Sequence, residues 1–207
     1  MDAHPMIPAI LINDKIVTGT NHGDAFGQLN EIEKDGPIIS GFLDCKNHKF
    51  ITDENKIIYL KEIIILRHAE STTQENGPLT ELGRKQALLI AKFLNAMKLQ
   101  EFKGFYSPYI RCKETSSIIE ENCHITFSQE PNLSKQQQHE CDFHNRLLQI
   151  LDSIPEKSIL ITHTDFIQNV IQITHCISIR KITNCSITYI RKNKIIWLAK
   201  EIQCSEE

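Results

Sequence analysis

Two imidazoles in this chain stand at the ends of apolar runs. Ile63-Ile64-Ile65-Leu66 leads into Arg67-His68, and Ile159-Leu160-Ile161-Thr162 leads into His163. An unbroken aliphatic run of this length reads as a strand buried on both faces, of the kind found in the middle of a mostly parallel sheet. In open sheets of that kind, ligands bind in the crevice beyond the carboxyl ends of the strands. A histidine there offers a nitrogen lone pair near neutral pH, and Arg67 offers a rigid fork of donors for phosphate or carboxylate. Arg111 is a further candidate, in the first turn of a predicted helix that follows Ser107-Pro108. If the two strands pair in parallel, His68 and His163 emerge side by side, with Arg67 and Arg111 around them. Positive charge so concentrated is costly without an anion to balance it. A phosphoryl group meets that need, because fixed donors on its oxygens help most as charge redistributes in the transition state. The N–H groups opening the helix that bears Arg111 could join the same cradle. Taken singly, each residue has a plainer reading, as a satisfied strand-end histidine or a surface arginine. Their joint occurrence, in this order, points to a site.

The elements that must position these residues alternate along the chain. After the strand at 63–66, Ser71 to Gly77 is a polar loop, and Thr80 is placed to cap a helix running through Leu94. Phe102 to Tyr106 reads as a strand, Tyr109 to Glu121 as a helix, and Asp142 to Ser153 as a helix with Phe143, Leu147, Ile150 and Leu151 facing inward. Ser158 to His163 is the second buried strand, Phe166 to Ile173 a helix, and Ser186–Ile190 with Ile195–Leu198 a closing hairpin across the basic turn Arg191-Lys192-Asn193-Lys194. This alternation predicts an α/β fold, a three-layer sandwich with a mostly parallel central sheet. Residues 61–207 form that domain, and residues 1–60 a small N-terminal α+β element of unknown role. Within the latter, Ala9 to Thr18 reads as a hairpin, Ala25 to Glu33 as a short amphipathic helix ended by Gly36-Pro37, and Ile38–Phe42 and Lys49–Ile51 as two strands. Asp53 to Leu60 reads as the join. It is not rich in glycine or serine, so the two parts are expected to pack together rather than swing freely.

Composition narrows the function classes. Of 207 residues, 41% are apolar and 24% charged, which fits a folded globular chain. A net charge of -3 argues against general nucleic-acid binding, which needs a basic excess to displace phosphate counterions. No window is apolar enough to span a membrane, and Met1-Asp2-Ala3-His4-Pro5 lacks the basic start and apolar run of a secretory signal. The seven cysteines are odd in number and none forms a CxxC pair, which suits a reducing compartment better than a disulfide framework or zinc site. The expected location is cytoplasmic.

Four separated motifs then occur in order: Leu66-Arg67-His68-Ala69-Glu70-Ser71, Pro78-Leu79-Thr80-Glu81-Leu82-Gly83-Arg84-Lys85-Gln86-Ala87, Ser107-Pro108-Tyr109-Ile110-Arg111-Cys112-Lys113-Glu114-Thr115, and Ile159-Leu160-Ile161-Thr162-His163. In this combination the chain from Ile63 to about Lys200 resembles the histidine phosphatase superfamily, also called phosphoglycerate-mutase-like. It is most similar to the small phosphatases of that group. The resemblance implies a phosphatase, a phosphoric monoester hydrolase, acting on a phosphorylated small molecule or a phosphoprotein. It implies His68 as nucleophile, forming a phosphohistidine that water hydrolyses, with Arg67, Arg111 and His163 holding the phosphoryl oxygens. Gln74 lies where many members have a phosphate-binding asparagine. No metal or organic cofactor is implied, and neither nucleic acid nor membrane is an expected partner.

The chain also departs from the family pattern. Ala69 stands where glycine is usual. Many members carry an acid in an L-x-E motif, but Leu133-Ser134-Lys135 puts a lysine there. Glu130, Glu140, Asp142 and Asp165 are the carboxylates available to protonate a leaving oxygen. Glu140 is the preferred candidate, because it precedes Asp142-Phe143-His144-Asn145-Arg146, which looks like the family's segment before the second histidine. A leaving group that departs readily, such as a phosphoramidate, needs an acid less. Two alternatives remain open: a phosphomutase of the same superfamily, and a weakly active phosphate-binding module.

Overall fold

The computed structural model describes residues 6–12, 15–18, 38–44, 49–53, 57–59, 61–136, 142–175, 182–191 and 194–199. The chain divides into two units, Met1–Lys61 and Glu62–Glu207. In the first, strands β1 (Ile7–Ile12), β2 (Lys15–Thr18), β3 (Ile38–Asp44), β4 (Lys49–Thr52) and β5 (Ile57–Tyr59) form a sheet ordered β2-β1-β3-β4-β5. Every neighbouring pair is antiparallel. The expected helix at 25–33 lies outside the described residues. The stretch 53–60, expected to be only a join, instead contributes β5 to this sheet. Ile57-Ile58-Tyr59 is too short to show a period of two, so its strand character is decided by pairing with Lys49–Ile51 rather than by local pattern.

The second unit runs β6 (Glu62–Arg67), α1 (Glu81–Ala96), β7 (Lys103–Tyr106), α2 (Ile110–Cys123), β8 (Phe127–Gln129), a short 3-10 turn (Pro131–Leu133), α3 (Phe143–Ser153), β9 (Lys157–Thr162), α4 (Thr164–His175), β10 (Ile187–Arg191) and β11 (Lys194–Ala199). Its six strands are ordered β11-β10-β6-β9-β7-β8. The pairs β6/β9, β9/β7 and β7/β8 are parallel, while β10 runs antiparallel to both β6 and β11. The α/β class and mostly parallel sheet are therefore as the alternation of elements implies. The edge strand β8 was not foreseen. With a single apolar residue, Phe127, it shows no pattern of its own. Its place is fixed by Gly104 on β7, where an added β-carbon would lie 2.4 Å from the Phe127 ring.

The aliphatic run that opens β6 is buried on both faces because the sheet is covered on both. Ile64, Leu66, Ile159, Ile161 and Ile187 join one core with Ala87, Ile90, Ala91 and Leu94 of α1 and Cys112 and Ile119 of α2. Ile63, Ile65 and Leu160 alternate to the other face, the side on which α4 meets β6 and α3 packs against α4. Each such side chain contributes roughly 1.5–3 kcal/mol by leaving water.

The start of α1 is bolted to the loop after β6. Thr80 Oγ1 accepts the Gly83 N–H at 3.0 Å as an N-cap and donates to Glu70 Oε1 at 2.7 Å. Gln86 Oε1 accepts the Glu70 N–H at 3.0 Å. Gly83 lies so close that an added β-carbon would come within 2.0 Å of the Glu70 carbonyl oxygen. Backbone cannot yield as a flexible side-chain tip can, so Gly83→Ala is expected to destabilise the unit by about 1–3 kcal/mol, the usual cost of overpacking. Chemical denaturation checks this, and an unchanged midpoint would show that the loop shifts freely.

Candidate active site

The parallel register pairs Arg67 with Thr162, which carries His68 and His163 to the same level beyond the sheet. The His68 N–H donates to the Thr162 carbonyl at 3.0 Å, and the two rings meet edge-on with centroids 5.3 Å apart. β7 ends on the other side of β9, where the Ser107 N–H donates to the Ile161 carbonyl at 3.0 Å. The chain then turns into α2, whose first turn delivers Arg111 between the histidines. Arg111 Nε donates to His68 Nε2 at 3.1 Å, and its NH2 group lies 3.3 Å from His163 Nδ1. The remaining arm, NH1, donates to the Glu75 carbonyl at 2.6 Å.

These contacts fix both tautomers. A guanidinium has no lone pair to offer, so His68 Nε2 and His163 Nδ1 must accept. The His68 proton therefore sits on Nδ1, which donates to the Ala69 carbonyl at 2.8 Å. That of His163 sits on Nε2, which donates to Ser107 Oγ at 2.8 Å. Burial holds the rings neutral, aided by the cations around them. His68 is pushed down to about 3, first by desolvation and then by Arg111 and Arg67. His163 is pushed down to about 2 by desolvation, the His68 ring, and Arg111, Lys135 and Arg67. Burial and the neighbouring Arg111 charge also lower Arg67, whose NH1 donates to the Ile182 carbonyl at 2.5 Å. The cluster thus presents guanidinium donors and a fixed imidazole lone pair within one small space, suited to a tetrahedral oxyanion.

Residues 63–143 match the family model of the histidine phosphatase superfamily, branch 1. The protein histidine phosphatase SixA complexed with tungstate superposes with a TM-score of 0.54 at 15% identity, covering 67% of this chain and 96% of that one. A putative phosphohistidine phosphatase SixA from Agrobacterium tumefaciens gives 0.56 at 13% identity, covering 68% and 97%. The mycobacterial glucosyl-3-phosphoglycerate phosphatase with VO3 gives 0.52 at 14% identity, covering 63% and 90%. The Glu62–Glu207 unit has a histidine phosphatase fold. A search of curated proteins finds no match.

Within this histidine phosphatase fold, Arg67, His68, Arg111 and His163 converge. Gln74 is exposed in the loop beside them, adjacent to the Glu75 carbonyl that holds Arg111. Glu140, the preferred acid, lies outside the described residues. Glu130 turns its carboxylate to the Asn132 N–H at 2.9 Å, Asp165 takes the Gln136 N–H, and Asp142 receives Asn145 Nδ2 at 3.4 Å. At the amino end of α2, the expected phosphate cradle, the Ile110 N–H is already given to Asn76 Oδ1 at 2.8 Å. That asparagine caps the helix in place of an anion. Among the described residues, no group of three His, Cys, Asp or Glu is arranged to hold a metal ion, nor is any helix long and apolar enough to cross a membrane.

Four contributors were given no role from the sequence, although Ser107, Tyr109 and Thr115 lie within the motif that carries Arg111. Ser107 orients His163, and Tyr109 packs edge-on against His163 at 4.9 Å while lying under the Arg111 guanidinium at 4.6 Å. Thr115 Oγ1 takes the Ala69 N–H at 3.1 Å. Cys185, at φ 56°, turns the chain into β10 while its N–H points at the His68 carbonyl, 3.4 Å away. Ser107 and Tyr109 were within reach of inspection, since they stand directly at the carboxyl end of the strand preceding Arg111. Ala69 needs no glycine, because its φ is not among the positive values of the described residues and its methyl is buried.

Neutral buried histidines make stability depend on pH. In the unfolded chain both rings take up protons below about pH 6.5, whereas the folded rings resist protonation until about pH 3 and 2. The unfolded state therefore binds more protons across that window, and stability is lost as pH falls through it. From pH 7 to pH 5 each histidine is expected to remove about 2 kcal/mol. Denaturant midpoints across this range check it, with the dependence reduced in His163→Gln.

Proposed function

We propose that this protein is a metal-independent phosphatase that works through a phosphohistidine on His68, with a phosphomonoester or phosphohistidine as substrate. The carrying observation is the His68 lone pair. It is neutral at physiological pH, its ring is oriented by the Nδ1–H bond to Ala69, and it faces the Arg111 guanidinium. In the proposed reaction, Arg111 Nε–H turns from His68 Nε2 to a phosphoryl oxygen, and the freed nitrogen attacks phosphorus in line with the leaving group. The P–N bond forms as the P–O or P–N bond to the leaving group breaks, and the leaving atom takes up a proton. Arg67, Arg111 and the His163 ring share the equatorial oxygens. Water then attacks phosphorus from the side the leaving group vacated, returning the electron pair to His68 Nε2 and releasing a proton to solvent that balances the one the leaving atom took up from solvent. The family match over residues 63–143 and the phosphatases that share the fold support this reading.

Hydrolysis of p-nitrophenyl phosphate with EDTA present tests it. Activity is expected to survive chelation, and His68→Ala to lower kcat on the order of a thousandfold or more. Arg111→Lys, which replaces a planar fork with a point charge, is expected to cost about a hundredfold. Acid-labile phosphate trapped on wild type and missing from His68→Ala would mark the covalent step. Phosphate binding without turnover, or equal activity in His68→Ala, would overturn the assignment.

A further inference from the structure

Residues 72–78 form a loop closed on itself. The Thr72 N–H donates to the Pro78 carbonyl at 2.9 Å, and the Gly77 N–H to the Gln74 carbonyl at 3.1 Å. Space inside the loop is tight, since a β-carbon added at Gly77 would lie 2.0 Å from Thr72 Oγ1. The loop meets the start of α2 through two consecutive residues on each side. Asn76 Oδ1 accepts the Ile110 N–H at 2.8 Å, and the Glu75 carbonyl accepts Arg111 NH1 at 2.6 Å. Tyr109, at the N-cap position of α2, makes no side-chain capping bond. Asn76 thus supplies from the loop a cap that the helix's own sequence lacks. Further along α2, Glu114 takes the Leu79 N–H at 2.8 Å and holds the chain just beyond the loop.

The three nitrogens of Arg111 face different partners. Nε and NH2 are turned to His68 and His163, at 3.1 and 3.3 Å, and these are the donors an entering oxyanion would take over. NH1 is given to Glu75, outside the histidine pair. A guanidinium is planar, so the partner of one nitrogen sets where the other two point. We propose that Asn76 is a positioning residue for Arg111. Its bond to the Ile110 N–H registers the Glu75 carbonyl against NH1. That carbonyl then fixes the guanidinium plane while Nε and NH2 turn to an oxyanion. Asn76 is exposed and its bond is to backbone, so it acts through Arg111 and not on the anion itself. That the anion is a phosphoryl group rests on the phosphatase reading above.

Calorimetric titration of the full chain with inorganic phosphate, run as a double-mutant cycle, tests this without requiring turnover. Asn76→Ala is expected to weaken phosphate binding about tenfold, the scale of one charge-assisted contact held out of line. Arg111→Lys keeps the charge but has no planar fork for the Glu75 carbonyl to orient. In that background Asn76→Ala is expected to cost less than about twofold. A general loosening of α2 would instead weaken binding alike in both backgrounds. Should Asn76→Ala not fold, Asn76→Gln serves in the same cycle, because its longer side chain cannot hold the same register. Unchanged phosphate affinity in the Asn76 variant, or an equal loss in both backgrounds, would overturn the proposal. Coupled losses together with no phosphate trapped on His68 would keep the positioning role and reject the hydrolytic reading, so the two can fail separately.

Discussion

The site depends on one register, the parallel pairing that sets Arg67 opposite Thr162. Side chains alternate faces along a strand, so a slip of one residue would send each of them to the wrong side. Here the register is enforced from both faces, since Ile64 and Leu66 are buried in one layer and Ile63 and Ile65 in the other. No polar face exists that could accept a slipped strand. The pairing consequently delivers His68 and His163 at one height, with centroids 5.3 Å apart. The Ser107 N–H on the Ile161 carbonyl then brings the end of β7, and with it Arg111, to the same edge.

What the cluster does follows from keeping its imidazoles uncharged. Two protonated rings beside Arg67 and Arg111 would place four like charges in a poorly solvated space, and burial already opposes charging either ring. The guanidinium of Arg111 settles the arrangement by donating toward one nitrogen of each ring. Each ring must then put its proton on the far nitrogen, and acceptors stand ready there in the Ala69 carbonyl and Ser107 Oγ. The same donors that orient the rings have the geometry and charge to serve a tetrahedral oxyanion.

Much of this was legible from the chain alone, for identifiable reasons. The buried strands announced themselves because they are covered on both faces and so are apolar through their central positions. Helix α1 was legible from its cap, since Thr80 does bond the Gly83 N–H. Hidden features were those decided by tertiary pairing or by backbone. β5 and β8, with three residues each, carry no periodicity and exist because a neighbour pairs with them. The carbonyls of Ala69, Glu75 and Ile182 hold the key side chains, yet a backbone acceptor has no residue type to read. The left-handed turn at Cys185 has no glycine to mark it, and tertiary context must hold it at a modest cost.

The motifs themselves divide by physical role. Glu70, Thr80, Gly83 and Gln86 bond or abut one another, so they set the loop after β6 against α1. Thr115 likewise ties Ala69 to α2, taking its N–H while donating to the Arg111 carbonyl at 2.7 Å. These residues explain why so short a set of signatures can specify the fold at low overall identity. They also show how a departure should be weighed. A methyl at Ala69 changes no charge and fits a backbone that never needed glycine, whereas a lysine at 135 adds a cation on a segment that Thr162 and Asp165 hold through the Leu133 carbonyl and the Gln136 N–H. Departures of the first kind leave the local charge unchanged; those of the second kind alter it.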